Sequence, residues 1–467
     1  MACHQSGYAA SPASQMVIVI PMPLQGHITP LLLLAKLIAA HGFAVTFVLR
    51  ECQLTDILKR QQGHSAITRL FHQGVRVVGI PDGSADEAEG DRNLIPSMPW
   101  LQEPFDDLVK KTVQEHEIEI ACILSDSFLV WTQDIANKWN IPRVCFWPQS
   151  LATFACSISL PKITEASPDL DPFDDTSFHN SPPGRNRIEA CRALHCVPGL
   201  SGIDASSLPF RSPNKFAAVW LREQLHKQME RINESACLVI NTIADLKQMH
   251  RPISKSFLSQ GVDTGLSLAD EDETCLQWLN LHQPRSVLYI SLGSLITIET
   301  QSALEIAMAL EACNVPFLWV LRSSDTHTGL PLRDSHLGKI VQWTSQLKVL
   351  SHEAIGGFLT HCGWNSVLES ISHGVPIIAW PHVMDQITNC WYQVEKWRAG
   401  VRLEGGSNGG VARLSVEKAV RLLMQENEGK EMRARASSLS LLASSSMKTL
   451  SGTLDSLLIS LASFKLA

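Results

Sequence analysis

Residues Trp343–Gln386 read W-T-S-Q-L-K-V-L-S-H-E-A-I-G-G-F-L-T-H-C-G-W-N-S-V-L-E-S-I-S-H-G-V-P-I-I-A-W-P-H-V-M-D-Q, and no other part of the chain predicts its structure as clearly. An apolar run beginning at Ile355 ends in the polar, glycine-containing turn His361–Ser366, and a helix-forming segment follows. A second apolar run, Val375–Trp380, comes next. This order predicts strand, tight turn, helix and strand, with polar side chains collected where the strands end. In an open α/β sheet, ligands bind at that edge.

The polar turn lies at the N-terminus of the predicted helix, where free backbone N–H groups and the helix dipole favour an anion such as a phosphate. Glu369 lies three residues beyond Ser366 and four beyond Asn365, so the three side chains share one helix face. A carboxylate one turn from a phosphate can accept hydrogen bonds from a ribose diol, and Trp343 offers a flat face to a base. The stretch therefore predicts a site for a nucleotide diphosphate.

The same stretch resembles the signature box of the plant family 1 UDP-dependent glycosyltransferases, which attach sugars to small secondary metabolites. Its 44 residues match the length of that box, and H-C-G-W-N-S-x-x-E, G-V-P and the terminal D-Q stand in register. One departure is Thr344-Ser345, where the family usually has Ala-Pro. The departure changes the loop beneath the base but retains Trp343 and Gln346.

Strands and helices alternate on the N-terminal side of the box as well. Met16–Ile20 and Ala44–Leu49 are strand-like runs separated by a turn and a helix predicted from Leu31, and Val287–Ser291 and Phe317–Leu321 flank another helix. Such alternation predicts mostly parallel sheets with helices on both faces. The resemblance implies the GT-B fold, an α/β architecture of two Rossmann-like domains that face a cleft.

We expect three parts of the chain. Residues 1–258 would form an acceptor-binding Rossmann-like domain and residues 259–440 a UDP-sugar-binding one, with 260–273 as the linker. Residues 441–467 would add a C-terminal helix that packs back on the first domain, as the resemblance implies. The aperiodic, Pro- and Asp-containing segment 167–187 predicts a surface loop.

Composition limits the function classes. The chain has 467 residues, 45% of them hydrophobic, 18% charged, and a net charge of −7 without a basic cluster, which argues against a nucleic-acid surface. The N-terminus lacks a signal-peptide profile, and the longest apolar run is too short to span a bilayer. The 12 scattered cysteines are typical of reduced thiols. These features predict a cytoplasmic protein without a membrane span.

His27 is the outstanding residue of the first half. It lies in P-L-Q-G-H-I-T-P, from Pro23 to Pro30, between a strand and a helix. The positive end of a helix dipole disfavours an imidazolium, and a neutral ring can accept a proton from a hydroxyl. The alternative is a histidine bonded to backbone in a turn. The resemblance implies that His27 is the catalytic base, with Asp126, at the end of another strand, orienting it; Asp126 could equally cap the following helix.

The resemblance also assigns the donor site residue by residue. Trp343 would stack on uracil, Gln346 would lie near the base and ribose, and Glu369 would contact the ribose. The diphosphate would meet His361, Asn365, Ser366 and the turn Gly293-Ser294, and the sugar hydroxyls would meet Trp364, Asp385 and Gln386. Glutamine at the last position is similar to glucose-using members, whereas histidine is associated with galactose.

Simpler roles remain open for several of these residues. The two tryptophans could pack in the core, Asp385-Gln386 could form a helix N-terminal turn, and a Gly-Ser turn after a strand is ordinary. Trp147-Pro148-Gln149 lies where the family often has a hydroxyl side chain that contacts the sugar, so that contact is in doubt here.

Motifs for other cofactors are weak or absent. Asp169-Leu170-Asp171 resembles a metal-binding D-x-D but lies in the aperiodic segment, and Cys191, His195 and Cys196 have no second ligand pair at zinc-like spacing. The sequence has neither a P-loop nor a G-x-G-x-x-G after its first strand. We therefore expect no metal and no cofactor besides the donor substrate.

The expected activity is inverting transfer of glucose from UDP-glucose to a hydroxyl of a small apolar acceptor, a flavonoid or other phenolic. Another UDP-sugar, a terpenoid acceptor or carbon glycosylation would use the same site. Two rival hypotheses are a UDP-sugar epimerase on the same fold and an inactive sugar-nucleotide-binding protein. The expected partners are these small molecules alone, and the expected oligomeric state is a monomer.

Overall fold

The computed structural model describes residues 15–60, 63–82, 98–115, 118–166, 203, 207–209, 215–242, 255–257, 266–322, 337–404 and 410–463. The predicted loop 167–187, the Asp169–Asp171 motif, Cys191, His195 and Cys196, and the first part of the predicted linker lie outside these residues.

Two parallel sheets organise the described chain. The first has the order β3-β2-β1-β4-β5-β6-β7 and the second β10-β9-β8-β11-β12-β13. The strands of the first sheet are β1 (Gln15–Ile20), β2 (Ala44–Arg50), β3 (Val75–Ile80), β4 (Glu119–Asp126), β5 (Arg143–Trp147), β6 (Cys237–Asn241) and β7 (Lys255–Phe257). Those of the second are β8 (Val287–Ser291), β9 (Phe317–Val320), β10 (Gly338–Val341), β11 (Ile355–Thr360), β12 (Ile377–Ala379) and β13 (Gly400–Arg402).

Helices connect the parallel strands. In the first half they are α1 (Gln25–Ala40), α2 (Glu51–Lys59), α3 (Gly63–His72), α4 (Gln102–Glu115), α5 (Thr132–Lys138), α6 (Leu151–Ala166) and α7 (Lys215–Glu234). In the second half they are α8 (Thr274–Leu279), α9 (Thr300–Cys313), α10 (Gln346–Leu350), α11 (Trp364–Ser372), α12 (Asp385–Trp391), α13 (Arg413–Met424) and α14 (Asn427–Ser463).

The strands at the centre of each sheet are buried on both faces. In β1, Val17 and Val19 pack into one apolar cluster with α1, whereas Ile18 and Ile20 pack into another on the opposite face. Strands covered on both faces need continuous apolar sequence, which is why the run Met16–Ile20 lacks polar residues. The predicted α/β architecture of two parallel sheets is confirmed.

Each sheet reverses its strand order at one central pair. In the first sheet β1 lies beside β4, and in the second β8 lies beside β11. At such a point the connections leave in opposite directions and open a crevice at the carboxyl ends of the strands, where doubly wound folds bind ligands. His27 and Asp126 follow β1 and end β4, whereas Gly293 and His361 follow β8 and β11.

Three predicted elements need correction. Helix α1 starts at Gln25, not Leu31, and Pro30 lies inside it. The hydrogen bond that Pro30 cannot donate to the Gly26 oxygen is replaced by one from the Asn365 side chain. For residues 386–397 the sequence predicts one continuous helix; the structure has α12 followed by a π-helical turn over Tyr392–Lys396. The sequence also predicts a loop at the acceptor site over residues 146–154; the structure instead has the end of β5, a short turn and the start of α6 there.

The last helix touches both halves. α14 packs on α11 and α13 of the second half and also contacts β4 and β7 of the first sheet. It runs without interruption through residue 441, so the boundary placed there falls inside a helix. The boundary after residue 258 lies at the edge of the described residues and stays a prediction.

Candidate active site

His27 and Asp126 meet in the crevice of the first sheet. The Nδ1 atom of His27 lies 2.7 Å from Oδ2 of Asp126, although 99 residues separate them. Asp126 is fully buried, while the His27 side chain keeps 17% of its surface exposed. With the carboxylate accepting from Nδ1–H, Nε2 carries the lone pair and can accept a proton. The pair can therefore work as an oriented general base.

Asp126 is held by its surroundings on three sides. Its Oδ1 accepts a hydrogen bond from the Phe128 N–H at 3.0 Å, in the turn after β4. The alternative role as N-cap of the following helix is not observed, because α5 begins at Thr132 with Trp131 at its N-cap position. The buried Arg143 donates through Nε to the Ser125 hydroxyl at 2.8 Å and through Nη2 to the Asp126 backbone oxygen at 3.4 Å. A neighbouring guanidinium reduces the cost of burying the carboxylate.

In the second sheet, the His361 ring lies between two glycines. A Cβ on Gly293 would lie 2.6 Å from Cε1 of the ring, and one on Gly363 would lie 2.4 Å from Nε2. Gly293 also has φ +75°, a conformation that favours glycine. Burial lowers the pKa of His361 to about 3, and the neighbouring His382 and Arg322 act in the same direction. The ring is thus neutral at physiological pH and can donate one hydrogen bond to a phosphate oxygen.

Arg322 is a cation beside this ring that the sequence patterns did not reveal. Its guanidinium donates to the backbone oxygens of Ser294 and Ile296, in the turn after β8. Arg322 therefore fixes the Gly293-Ser294 turn and places positive charge near the N-terminus of α11.

Gln346, Ser366 and Glu369 form one polar cluster. The Nε2 atom of Gln346 donates to Ser366 Oγ at 2.9 Å and to Glu369 Oε2 at 2.8 Å. Burial raises the pKa of Glu369 to about 7, and the hydrogen bond from Gln346 offsets part of that effect. Near pH 7 about half of the Glu369 carboxyl groups are therefore ionised, and the ionised form can accept hydrogen bonds from the hydroxyl groups of a ligand.

Trp343 is anchored by the second part of the predicted linker, which the structure describes from residue 266. Its indole Nε1–H donates to Ser267 Oγ at 2.9 Å, and its backbone oxygen accepts from the Asp272 N–H at 2.9 Å. The departure at Thr344 has a local explanation, because its buried hydroxyl lies 3.1 Å from the Cys275 sulfur of α8. The indole ring of Trp343, on which the nucleotide base would stack, is therefore fixed through its Nε1 edge.

Asp385 faces the first half of the molecule at the start of α12. Burial raises the pKa of Asp385 to about 6, while hydrogen bonds from Asn389 and Gln149 and the charge of His27 act in the opposite direction. The Asn389 Nδ2–Asp385 Oδ2 distance is 2.8 Å. Gln149 thus reaches the candidate sugar site through Asp385, at the position where the family often has a hydroxyl side chain.

The structure gives Gln386 an additional contact. Its side-chain oxygen accepts the backbone N–H groups of His382 at 2.9 Å and Val383 at 3.1 Å. These bonds fit the alternative of a helix N-terminal turn. A hydrogen bond from Gln386 to a sugar would consequently come from its amide nitrogen.

Trp364 and Asn365 contact the first half directly. Trp364 Nε1 donates to the Asn241 backbone oxygen at 2.6 Å, and Asn365 Nδ2 donates to the Gly26 backbone oxygen at 2.5 Å. Trp364 also packs in a buried apolar cluster of the second half, as its simpler role predicts. The starts of α11 and α12 therefore lie where the two halves meet, and the charge of His27 acts on Asp385. The roles of the donor-site residues toward a ligand stay predictions.

Among the residues that the structure describes, no group of three or more His, Cys, Asp or Glu side chains is arranged to hold a metal ion. None of the helices that the structure describes combines the length and apolarity needed to cross a membrane.

The two doubly wound parallel sheets correspond to the two Rossmann-like domains of the GT-B glycosyltransferase fold. Residues 220–443 match the family model described as UDP-glucoronosyl and UDP-glucosyl transferase. UDP-glycosyltransferase 76E1 of Arabidopsis thaliana is 32% identical over 94% of this chain and 95% of its own length. A flavonol 3-O-glucosyltransferase of the same plant is 31% identical over 93% of each chain. The chain belongs to the plant family 1 UDP-dependent glycosyltransferases and is an enzyme.

Solved structures agree on the fold. Os79 of O. sativa in complex with UDP has a TM-score of 0.75 at 24% identity and covers 94% of this chain and 99% of its own. A UDP-glucose: anthocyanidin 3-O-glucosyltransferase in complex with UDP also has a TM-score of 0.75 at 24% identity, covering 97% of this chain and all of its own.

Four residues near the site were missed by sequence reasoning as participants. Asn241, Ser267 and Arg322 are single polar residues outside any motif, and Asn389 was read only as part of a helix. Their contacts join distant segments: Asn241 reaches Asn365 across 124 residues, and Ser267 reaches Trp343 across 76. The one available signal was a polar residue at a strand end, which Asn241 satisfies.

Proposed function

We propose that this enzyme transfers glucose from UDP-glucose to a hydroxyl of a small, mostly apolar acceptor, a flavonoid or other phenolic, with inversion at the anomeric carbon. The observation that carries the proposal is the 2.7 Å contact between His27 and Asp126, on the side of the crevice that faces Asp385. An inactive binding protein would have no need of an oriented base opposite its sugar site.

In the proposed reaction, His27 Nε2 removes the acceptor hydroxyl proton while the oxygen attacks the anomeric carbon. The bond from that carbon to the UDP oxygen breaks, and its electron pair leaves with UDP. Asp126 stabilises the imidazolium through Nδ1–H, as a carboxylate does in other oriented histidine bases. General base catalysis of this kind contributes about 10²- to 10⁴-fold to a rate.

The departing diphosphate gains negative charge. We propose that this charge is stabilised by the first backbone N–H groups of α11, by the neutral His361 ring and by the nearby Arg322 cation. No metal ion enters the proposed mechanism. Turnover should accordingly persist after dialysis against EDTA, and a loss restored by Mg²⁺ or Mn²⁺ would contradict this part of the proposal.

The glucose preference rests on the donor half of the site. Gln386 stands at the position where the resemblance associates glutamine with glucose, and its amide nitrogen remains to donate to a hydroxyl. Similar proteins include a flavonol 3-O-glucosyltransferase and an anthocyanidin 3-O-glucosyltransferase, which support a phenolic acceptor here. Others include a glucosyltransferase of indoxyl and Os79 in complex with a trichothecene, so the acceptor panel below also contains non-flavonoid compounds. We also propose a monomer in the cytoplasm; the nine free cysteines among the described residues fit a reducing compartment.

Mass spectrometry of products tests the proposal. Purified enzyme is incubated with UDP-glucose and, separately, with flavonoids, simple phenols and terpenoid alcohols. We expect a product heavier by one hexose from at least one phenolic, with the β-configuration by NMR that inversion of the α-linked donor gives. A retained α-linkage would refute inversion. Product from terpenoid alcohols alone would refute the phenolic acceptor, and turnover with UDP-xylose, UDP-galactose or UDP-glucuronate alone would refute the glucose donor.

A further inference from the structure

A hydrogen-bonded bridge joins the two halves of the molecule at the donor site. Asn241, the last residue of β6, is fully buried. Its backbone oxygen accepts from Trp364 Nε1 at 2.6 Å, and its Nδ2 donates to Asn365 Oδ1 at 3.1 Å. A residue of the first sheet therefore contacts two adjacent residues at the start of α11, in the second half.

The other end of the Asn365 amide is held by α1. Its Nδ2 donates to the backbone oxygen of Gly26 at 2.5 Å. In a regular helix this oxygen would accept from the N–H of residue 30, but that residue is Pro30, which has no N–H. Pro30 thus leaves the Gly26 oxygen available to a donor from the opposite half.

Together these contacts determine which way the Asn365 amide points. Its oxygen faces the NH₂ group of Asn241, and its nitrogen faces the Gly26 oxygen. If the amide were flipped, its NH₂ group would face the NH₂ group of Asn241 and its oxygen would face the Gly26 oxygen, so both hydrogen bonds would be lost. One N–H of Nδ2 is used by Gly26, and the second remains for a ligand. It lies at the N-terminus of α11, where the backbone N–H groups favour an anion.

We propose that Asn241 and Pro30 are positioning residues for the donor, acting through Asn365 so that its free N–H points at the diphosphate. The inference rests on the assignment of the diphosphate to the start of α11 under the proposed function. With this role for Asn241 and Pro30, the first half of the chain contributes to the donor site as well as to the acceptor site.

The test measures UDP binding by isothermal titration calorimetry, which depends on neither the sugar nor the acceptor. Asn241→Asp replaces the amide donor by a carboxylate of the same size and leaves the backbone contact to Trp364. Because the Asn365 oxygen would then face an acceptor, we expect UDP affinity to fall about 10-fold or more. Asn241→Ala should cause a smaller loss.

Pro30→Ala is the second variant, because it restores an N–H that competes for the Gly26 oxygen. Alanine is the better helix former, so we expect an unchanged or higher melting temperature together with a several-fold loss of UDP affinity. A purely structural role would move stability and affinity in the same direction. The matched control is Thr388→Val, which removes another buried bond between the halves, to the Ser207 backbone oxygen at 2.7 Å, without touching Trp364 or Asn365. We expect it to retain UDP affinity.

A double-mutant cycle completes the test. Adding Asn241→Asp to Asn365→Ala should cost little beyond Asn365→Ala alone, since the residue that it positions is already lost. UDP affinity within twofold of wild type for both Asn241→Asp and Pro30→Ala, or fully additive losses in the cycle, would overturn the inference. Wild-type enzyme that binds UDP but transfers no hexose to any phenolic would instead refute the proposed function and leave the positioning result intact.

Discussion

The crevice has two sides built from different lengths of chain. The donor side takes its polar residues mainly from one stretch of 44 residues, Trp343–Gln386, whereas the base on the other side needs His27 and Asp126, which are 99 residues apart. Burial also has strong electrostatic effects on the donor side. It shifts the pKa of His361 to about 3 and that of Glu369 to about 7.

The difference indicates a division of labour between the two halves. The donor side is mostly built by the second half, with Asn241 and Gly26 of the first half supporting Asn365. Nucleotide binding should therefore not require His27 or Asp126. The base side is assembled only when β1 and β4 pair, and one face of its histidine stays open to an acceptor. Variants on the two sides should therefore fail in different ways.

The largest effect is expected for His27→Ala. It removes the proton acceptor, so the transfer rate should fall about 10²- to 10⁴-fold, while UDP-glucose affinity stays within a few-fold. Steady-state kinetics and calorimetry measure the two quantities. The control is His41→Ala at the far end of α1, which should retain activity. Loss of UDP-glucose binding in His27→Ala would contradict the division of labour.

Asp126→Asn should come next. The amide keeps the shape of the side chain but can no longer stabilise an imidazolium, and we expect a fall of about 10²-fold in kcat with little change in KM for the donor. Asp134→Asn, which alters an exposed ion pair with Arg231, serves as the matched control and should retain activity. A raised KM for UDP-glucose at constant kcat would place Asp126 on the donor side instead.

On the donor side, Trp343→Ala should weaken UDP binding. Stacking of a base on an aromatic ring contributes about 1–3 kcal/mol, which corresponds to roughly 5- to 150-fold in Kd. Trp278→Ala removes another half-buried tryptophan of the same half, one that packs on His282, and should leave UDP binding unaltered. Equal losses in both variants would indicate a general packing defect and no stacking role for Trp343.

The smallest effect concerns pH. Since the pKa of Glu369 is raised to about 7, this group is mostly protonated at pH 6 and mostly ionised at pH 8. Ribose hydroxyls donate to the ionised form, so UDP-glucose affinity should rise up to about 10-fold over this range, with proton release on binding. Glu369→Gln should flatten the profile. A profile that stays equally steep in this variant would assign the titration to another group, Asp385 being the first candidate.

The raised pKa of Glu369 affects protein stability in the opposite direction to donor affinity as the pH changes. A glutamate whose pKa rises from 4.5 in the unfolded chain to about 7 in the folded protein binds its proton more tightly when folded. Its contribution to stability is therefore complete below pH 4.5 and is lost as the pH rises through 7. The pH of greatest donor affinity and the pH at which this group favours folding do not coincide.

Much of the fold followed from local patterns. Apolar runs such as Met16–Ile20 predicted buried parallel strands because both faces of such strands are covered, and the box around His361 predicted strand, turn and helix in order. The predicted start of α1 is wrong by six residues, since a proline usually stands in the first turn of a helix, whereas Pro30 lies further inside α1, where Asn365 supplies the missing donor to the Gly26 oxygen. The π-helical turn after α12 carries no comparable signal.

The residues of the candidate site likewise fall into those that the sequence predicts and those that it does not. Residues of the box could be assigned because their spacing is a property of one continuous segment. Asn241, Ser267 and Arg322 could not, because each is an ordinary polar residue whose contacts exist only after distant strands pair. Gln149 was noticed for its position, but its contact with Asp385 depends on how the two halves face each other.

The most direct test of the division of labour is a crystal structure of His27→Ala soaked with UDP-glucose, in which turnover cannot remove the donor. We predict the uracil on Trp343, the ribose at Glu369, the diphosphate at the start of α11, and the anomeric carbon turned toward the position of residue 27. Electron density for the nucleotide in the crevice of the first sheet, or a sugar turned away from residue 27, would contradict the account.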